Sequence, residues 1–152
     1  VAELFARRAF NIHSLAVGET EDPRISRMTV VVDAAELPIE QVTKQLNKLI
    51  NVLKIVELDP AAAVERQLLL VKVSANDSSR ANVVQIVDLF RAHVVDVVPD
   101  AVTIEATGSD SKVEAFLTAL EPYGIREIVQ SGAVAITRGA RSLSERVAAE
   151  LN

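Results

Sequence analysis

Leu68-Leu69-Leu70-Val71-Lys72-Val73 decides the fold of this chain. The run is apolar on both faces of an extended backbone, which is the pattern of a strand in the middle of a sheet. Asn76-Asp77-Ser78-Ser79 follows and supplies side-chain acceptors for the open N–H groups of a helix start. Val83, Ile86, Val87 and Phe90 then recur at helical spacing. Val94-Val95-Asp96-Val97-Val98 reads as a strand and Pro99-Asp100 as a turn, and Val102, Ile104 and Ala106 alternate as the next strand. Ser111 and Glu114 have capping-box spacing ahead of the stripe Val113, Phe116, Leu117 and Leu120. Pro122 and Gly124 end that helix. A long strand region from Ile125 to Thr137 follows, with a bend expected at Gly132. The order strand, helix, strand, strand, helix, strand describes a ferredoxin-like unit, two helices on one face of a four-stranded antiparallel sheet.

Upstream, the same order returns without its first strand. Val1, Leu4 and Phe5 share a helical face that begins without a capping residue. Leu15 and Val17 alternate, Asp22-Pro23 marks a turn, and Met28, Val30 and Val32 alternate again. Pro38 suits a first helical position, ahead of Ile39, Val42, Leu46, Leu49 and Leu53 at helical spacing. Ile55-Val56-Glu57-Leu58 reads as a strand and Asp59-Pro60-Ala61-Ala62-Ala63 as a linker. Val1, Leu4, Phe5, Asn11, Ile12 and Leu15 align with Val83, Ile86, Val87, His93, Val94 and Val97, and Val42, Leu46 and Leu49 align with Val113, Leu117 and Leu120. The expected fold is therefore α+β, with two tandem βαββαβ modules. Residues 1–60 form the first, lacking its initial central strand. Residues 64–138 form the second, and 139–152 are a charged, weakly helical tail.

Composition narrows the function. At 152 residues and 49% apolar, the chain can bury a core without cross-links, and with no cysteine it has no disulfide framework and no thiolate metal site. A net charge of −5 with no dense Lys/Arg run argues against nucleic-acid binding. No apolar run approaches the roughly 18 residues a membrane span needs, and no secretory pattern opens the chain. A cytoplasmic location is expected.

Catalytic constellations are hard to assemble. His13 and His93 sit at nearly corresponding repeat positions just after a helix, but neither has Asp, Glu or Cys at metal-ligand spacing. They read as polar residues at a helix-to-strand corner. Glu21-Asp22 could do acid/base work only if burial separated the two pKa values, and beside a proline turn they read as solvated. No glycine-rich phosphate loop and no nucleophile elbow occurs. The expected strands lack the exposed aromatics that an RNA-reading sheet uses.

Several segments together resemble one family. They are Arg7-Arg-Ala-Phe-Asn-Ile-His-Ser-Leu15, Ser26-Arg-Met-Thr-Val30, Lys44-Gln-Leu-Asn-Lys-Leu-Ile50, Arg66 with Leu68 to Val73, and Phe90-Arg-Ala92 with Val94 to Val97. Lys112 with Ala115-Phe-Leu117, Ser131-Gly132 and Arg138-Gly139 complete the set. In this order they resemble the regulatory small subunit of acetohydroxyacid synthase, also called acetolactate synthase, whose first module is an ACT domain. The resemblance implies no catalysis by this chain. It implies partnership with the catalytic large subunit, activation of that subunit, feedback inhibition by valine or a related branched-chain amino acid, and assembly as a homodimer or higher oligomer. Thiamine diphosphate, FAD and Mg would belong to the large subunit and no cofactor to this chain. The family's effector site begins in a strand and glycine-containing loop that precede Val1, so only Asn11 and Ile12 carry over as effector-binding residues. An Asn amide can both donate and accept, so it can meet an amino acid's carboxylate or its ammonium. Ile12 or Leu15 could line the apolar part of the pocket. At the level of residues alone, Asn11 could equally be a helix cap. The alternative functional reading is a stand-alone amino-acid-binding module of a transcription regulator, against which the missing helix-turn-helix counts.

Overall fold

The computed structural model describes residues 12–32, 39–49 and 51–151. Contacts divide the chain into two compact units, one of residues 1–64 with 135–152 and the other of residues 65–134. The expected helix at Val1 to Phe5 and the expected helix start at Pro38 lie outside the described residues.

The second unit is the expected ferredoxin-like module. Its strands are β3 (Ala63–Ser74, whose first two residues fall in the first unit), β4 (His93–Val98), β5 (Ala101–Gly108) and β6 (Ile125–Gln130), with helices α2 (Arg80–Leu89) and α3 (Asp110–Leu120). The sheet order is β4-β5-β3-β6, with antiparallel pairing at each step. Strand β3 is central, as its apolar run suggested, but not because both faces are covered. Leu69, Val71 and Val73 are at most 1% exposed against the helices, whereas Leu68 and Leu70 on the other face are 40% and 38% exposed. The strand region expected from Ile125 to Thr137 does bend. Residues 131–133 separate β6 from β7 (Val134–Thr137), which also pairs with β3.

Helix α2 starts where Asn76 Oδ1 accepts from the backbone N–H groups of Ser78 and Ser79. Its Val83 and Val87 are buried, and Ile86 and Phe90 pack beside them. Arg91 closes the helix in the left-handed region at φ 56°, where the N–H of Ala92 can reach Val87 O at 2.9 Å. Helix α3 starts two residues earlier than the Ser111–Glu114 spacing suggested. Ser109 is the cap, accepting from Lys112 N, and Ser111 lies within the helix. Phe116 and Leu120 from this helix complete the core, with the Phe116 ring 5.1 Å from that of Phe90.

The first unit contains the hairpin β1 (Ile12–Glu19) and β2 (Ser26–Val32) and the helix α1 (Ile39–Asn47). Val42 and Leu46 of α1 pack with Ile12, Val30, Val32, Leu49 and Ile55. The helical spacing persists to Leu53 in the sequence, but α1 stops at Asn47. Lys48 N and Leu49 N tighten onto carbonyls three residues back, and Leu53 is 53% exposed. Ile55 to Leu58 does not form the expected strand. In a ferredoxin-like sheet the last strand pairs with the first. No such first strand is present among the described residues for this segment to pair with.

The internal repeat is visible in a shared irregularity. In β1 the register slips between Ile12 and Ser14, and in β4 between Val94 and Asp96. The extra residues, His13 and Val95, stand at the same offset as the aligned pair Ile12 and Val94. A bulge at this point returns residues three apart to one face. It therefore keeps Ile12 with Leu15, and Val94 with Val97, on the helix-facing side.

Candidate functional site

Of the two effector-site candidates, Asn11 lies outside the described residues and Ile12 opens β1. Ile12 is half-buried opposite Val32 and contributes to the small core under α1. From Ile12 the same face of the hairpin continues through Leu15, opposite Val30, and Val17, opposite Met28. Leu15, Val17 and Met28 are 37%, 61% and 40% exposed. The result is an apolar shelf that begins in the core and opens toward solvent along β1. Such a surface can hold an aliphatic side chain by contact area.

His13 is the bulged residue of β1 and is exposed. His93 opens β4 opposite Glu105 and is also exposed. Among the described residues no cluster of three or more His, Asp or Glu could hold a metal ion. Glu21 and Asp22 lie in the β1–β2 turn. Their pKa values move in the same direction, not apart as an acid/base pair requires. The Arg24 guanidinium, with the Arg24 backbone N–H, holds the Asp22 carboxyl down at about 2. The Ser144 hydroxyl is the largest influence holding Glu21 below its ordinary value. Both groups are therefore carboxylates at neutral pH.

The charged tail expected to be weakly helical does contain a helix. Helix α4 (Leu143–Leu151) falls within it and belongs to the first unit. A signal for it was present. Glu145 N donates to Ser142 Oγ at 3.0 Å and Ser142 N donates to Glu145 Oε2 at 3.4 Å, which is a reciprocal capping box.

Comparison with known proteins covers both units. Residues 66–139 match the family described as the small subunit of acetolactate synthase, and residues 1–54 match the AHAS small subunit-like ACT domain. The acetolactate synthase small subunit of Mycobacterium bovis is 59% identical over 143 residues, spanning 94% of this chain and 85% of that protein. A probable acetolactate synthase small subunit of Methanothermobacter thermautotrophicus is 48% identical over 144 residues, spanning 94% of this chain and 86% of that protein. The crystal structure of the acetolactate synthase small subunit from Thermotoga maritima superposes with a TM-score of 0.83 at 42% identity, covering 92% of this chain and 88% of that one. Sequence similarity and shared architecture therefore agree across both modules, and the chain belongs to the acetolactate synthase small-subunit family.

Proposed function

We propose that this chain raises the activity of the catalytic large subunit of acetolactate synthase and makes it sensitive to valine or a related branched-chain amino acid. The observation that carries this reading is the 59% identity to an acetolactate synthase small subunit over 143 residues. In this reading the chain performs no chemistry of its own, and thiamine diphosphate, FAD and Mg reside in the large subunit. The location is cytoplasmic. Among the described residues, no helix is long and apolar enough to cross a membrane.

The effector requires a partner for its carboxylate, a partner for its ammonium and an apolar seat. Asn11 is proposed to meet one of the polar groups, and Ile12 with Leu15 the side chain. The partly exposed shelf along β1 supports the apolar half of this proposal. Valine and leucine differ by one methylene, a difference of about 1–3 kcal/mol in an apolar pocket, so the shelf alone does not select between them.

A homodimer is also part of the proposal. The described hairpin pairs β1 only with β2, which leaves the far edge of β1 open among the described residues. An open edge is stabilised when a second copy continues the sheet. Co-purification of the full-length chain with the matching large subunit tests the partnership. Recovery of a stable complex supports it, and separate elution at micromolar concentrations of both contradicts it.

A further inference from the structure

The chain passes between its two compact units twice, at residues 64–65 and again at 134–135. Both passages lie within strands, β3 and β7, and these strands pair with each other. A single flexible linker turns freely about its backbone dihedrals. A hydrogen-bonded pair of strands does so only by breaking ladder bonds. Bonds hold this edge of β3 on either side of the passage. Arg138 N donates to Ala62 O at 2.8 Å, Leu68 N donates to Ser131 Oγ at 2.9 Å, and Ser131 N donates to Leu68 O at 2.9 Å. Ser131 thus satisfies Leu68 where residues 131–133 separate β6 from β7.

A side chain of the hairpin takes hold of this crossing. Arg27 Nη2 donates to Ala135 O at 2.9 Å. In the β1–β2 ladder Arg27 stands opposite Gly18, and its neighbour Met28 stands opposite Val17. Consecutive residues of a strand point to opposite faces. Met28 therefore borders the apolar shelf with Leu15 and Val17, while Arg27 leaves β2 on the other face and reaches β7. A guanidinium on a carbonyl is a charge-assisted bond, roughly twice as strong as a neutral one, and Arg27 is half-buried. Strand β7 has only four residues, and its Val134 and Ile136 are 56% and 59% exposed. Little apolar burial of its own holds it, so its polar bonds matter more.

We propose that Arg27 is a positioning residue that couples the shelf-bearing hairpin to the β3–β7 crossing, so that a ligand seated on one face of β2 tightens the strand pair held from its other face. Met28 and Arg27 are adjacent on one backbone, so a ligand that orders β2 at Met28 also orders the start of the Arg27 side chain. A donor already ordered loses less freedom when it holds Ala135, and the tighter hold reaches β3 through its pairing with β7. The ligand in this inference rests on the effector reading above. The tie itself rests on the Arg27–Ala135 bond.

Hydrogen exchange by mass spectrometry on the full-length chain, with and without valine, tests it in wild type, Arg27→Met and Arg27→Lys. The methionine keeps the aliphatic stem without the charge, and the lysine keeps a cationic donor. Peptides from 28–32 report the hairpin, those from 62–66 and 134–138 the crossing, and those from 69–73 the second module's core. Valine should slow exchange at 28–32 in all three proteins. At the crossing it should slow exchange by about fivefold or more in wild type and Arg27→Lys, and by less than about twofold in Arg27→Met. A merely structural role would speed exchange at the crossing in Arg27→Met but leave the response to valine in place. Equal slowing of the crossing in Arg27→Met, or slowing confined to the hairpin in wild type, would overturn the proposal. If calorimetry shows that wild type takes up no valine, the effector reading fails, and Val30→Ala, which loosens the hairpin from within its core, decides on the tie. Faster exchange at the crossing that appears with Arg27 in place and vanishes in the Arg27→Met background supports it, and the same response in both backgrounds overturns it.

Discussion

Gln67→Leu is the substitution whose outcome most sharply tests the energetic picture of the second module. Gln67 is the one polar residue among those buried in the described structure, at 8% exposed. Its Nε2 donates to Asp110 Oδ1 at 3.1 Å, and its Oε1 accepts from Gln130 Nε2. Losing a buried partner is costly when the groups left behind are also buried, about 1–3 kcal/mol each. Here Asp110 and Gln130 are both exposed residues, so water can replace Gln67 for each of them. The loss should therefore fall near the net value of two ordinary hydrogen bonds, about 1–2 kcal/mol in total. Leucine fills nearly the same volume and gains about 1–2 kcal/mol from apolar burial. The two effects nearly cancel, and Gln67→Leu should change stability by less than about 1 kcal/mol. Gln67→Ala loses the hydrogen bonds and the packing together and should cost about 2–3 kcal/mol. Urea unfolding followed by far-ultraviolet circular dichroism, with exchange of the Val71 and Ile104 amides as the report from this module, measures both variants. If leucine proves as damaging as alanine, water does not replace the lost partners, and the Asp110–Gln67–Gln130 ladder holds the end of the sheet in its own right.

Three further substitutions test other parts of the account. Phe116→Ala removes a side chain that is 1% exposed and packed against the tilted ring of Phe90, and should destabilise the second module by about 3–5 kcal/mol; a loss under about 1 kcal/mol in urea titration would show that this core is not closely packed. Arg91→Gly relieves a left-handed backbone at φ 56° and should stabilise the module by about 0.5–1 kcal/mol after the entropy of glycine is counted; a lowered unfolding midpoint would mean that the arginine side chain itself contributes more than the strain costs. Asn11→Ala in the full-length chain should weaken valine binding by roughly 5- to 150-fold, as expected for loss of a polar partner worth about 1–3 kcal/mol, while activation of the large subunit persists. Calorimetric titration identical to wild type would reduce Asn11 to a helix cap.

The second module was legible because its signals reinforce one another. Leu69, Val71 and Val73 alternate with less buried neighbours, Asn76 caps α2, and Val83 with Val87 and Val113 with Phe116 mark faces that meet the same core. Where the reading slipped, a nearby equivalent won. Ser109 rather than Ser111 caps α3 because its extended backbone, at φ −68° and ψ 166°, aims its hydroxyl at Lys112 N. The apolar run Ile55 to Leu58 has strand composition, but a strand also needs a neighbour, and composition does not report one. Ile12 illustrates a similar limit in the site. Its apolar character marks it for burial, yet the same property serves the core under α1 and the lining of an effector seat. Helix α4 falls in the tail expected to be weakly helical, and the Ser142–Glu145 spacing marks where it starts.

A valine titration of the reconstituted enzyme tests whether the chain is a regulator. Acetolactate formation would be measured with the matching large subunit alone, with increasing full-length small subunit, and then with increasing valine, leucine and isoleucine at saturating small subunit. The small subunit by itself should show no turnover, its addition should raise large-subunit activity saturably, and at least one of the three amino acids should inhibit only when the small subunit is present. Activity unchanged at every subunit ratio, or inhibition equally strong with the large subunit alone, would contradict it.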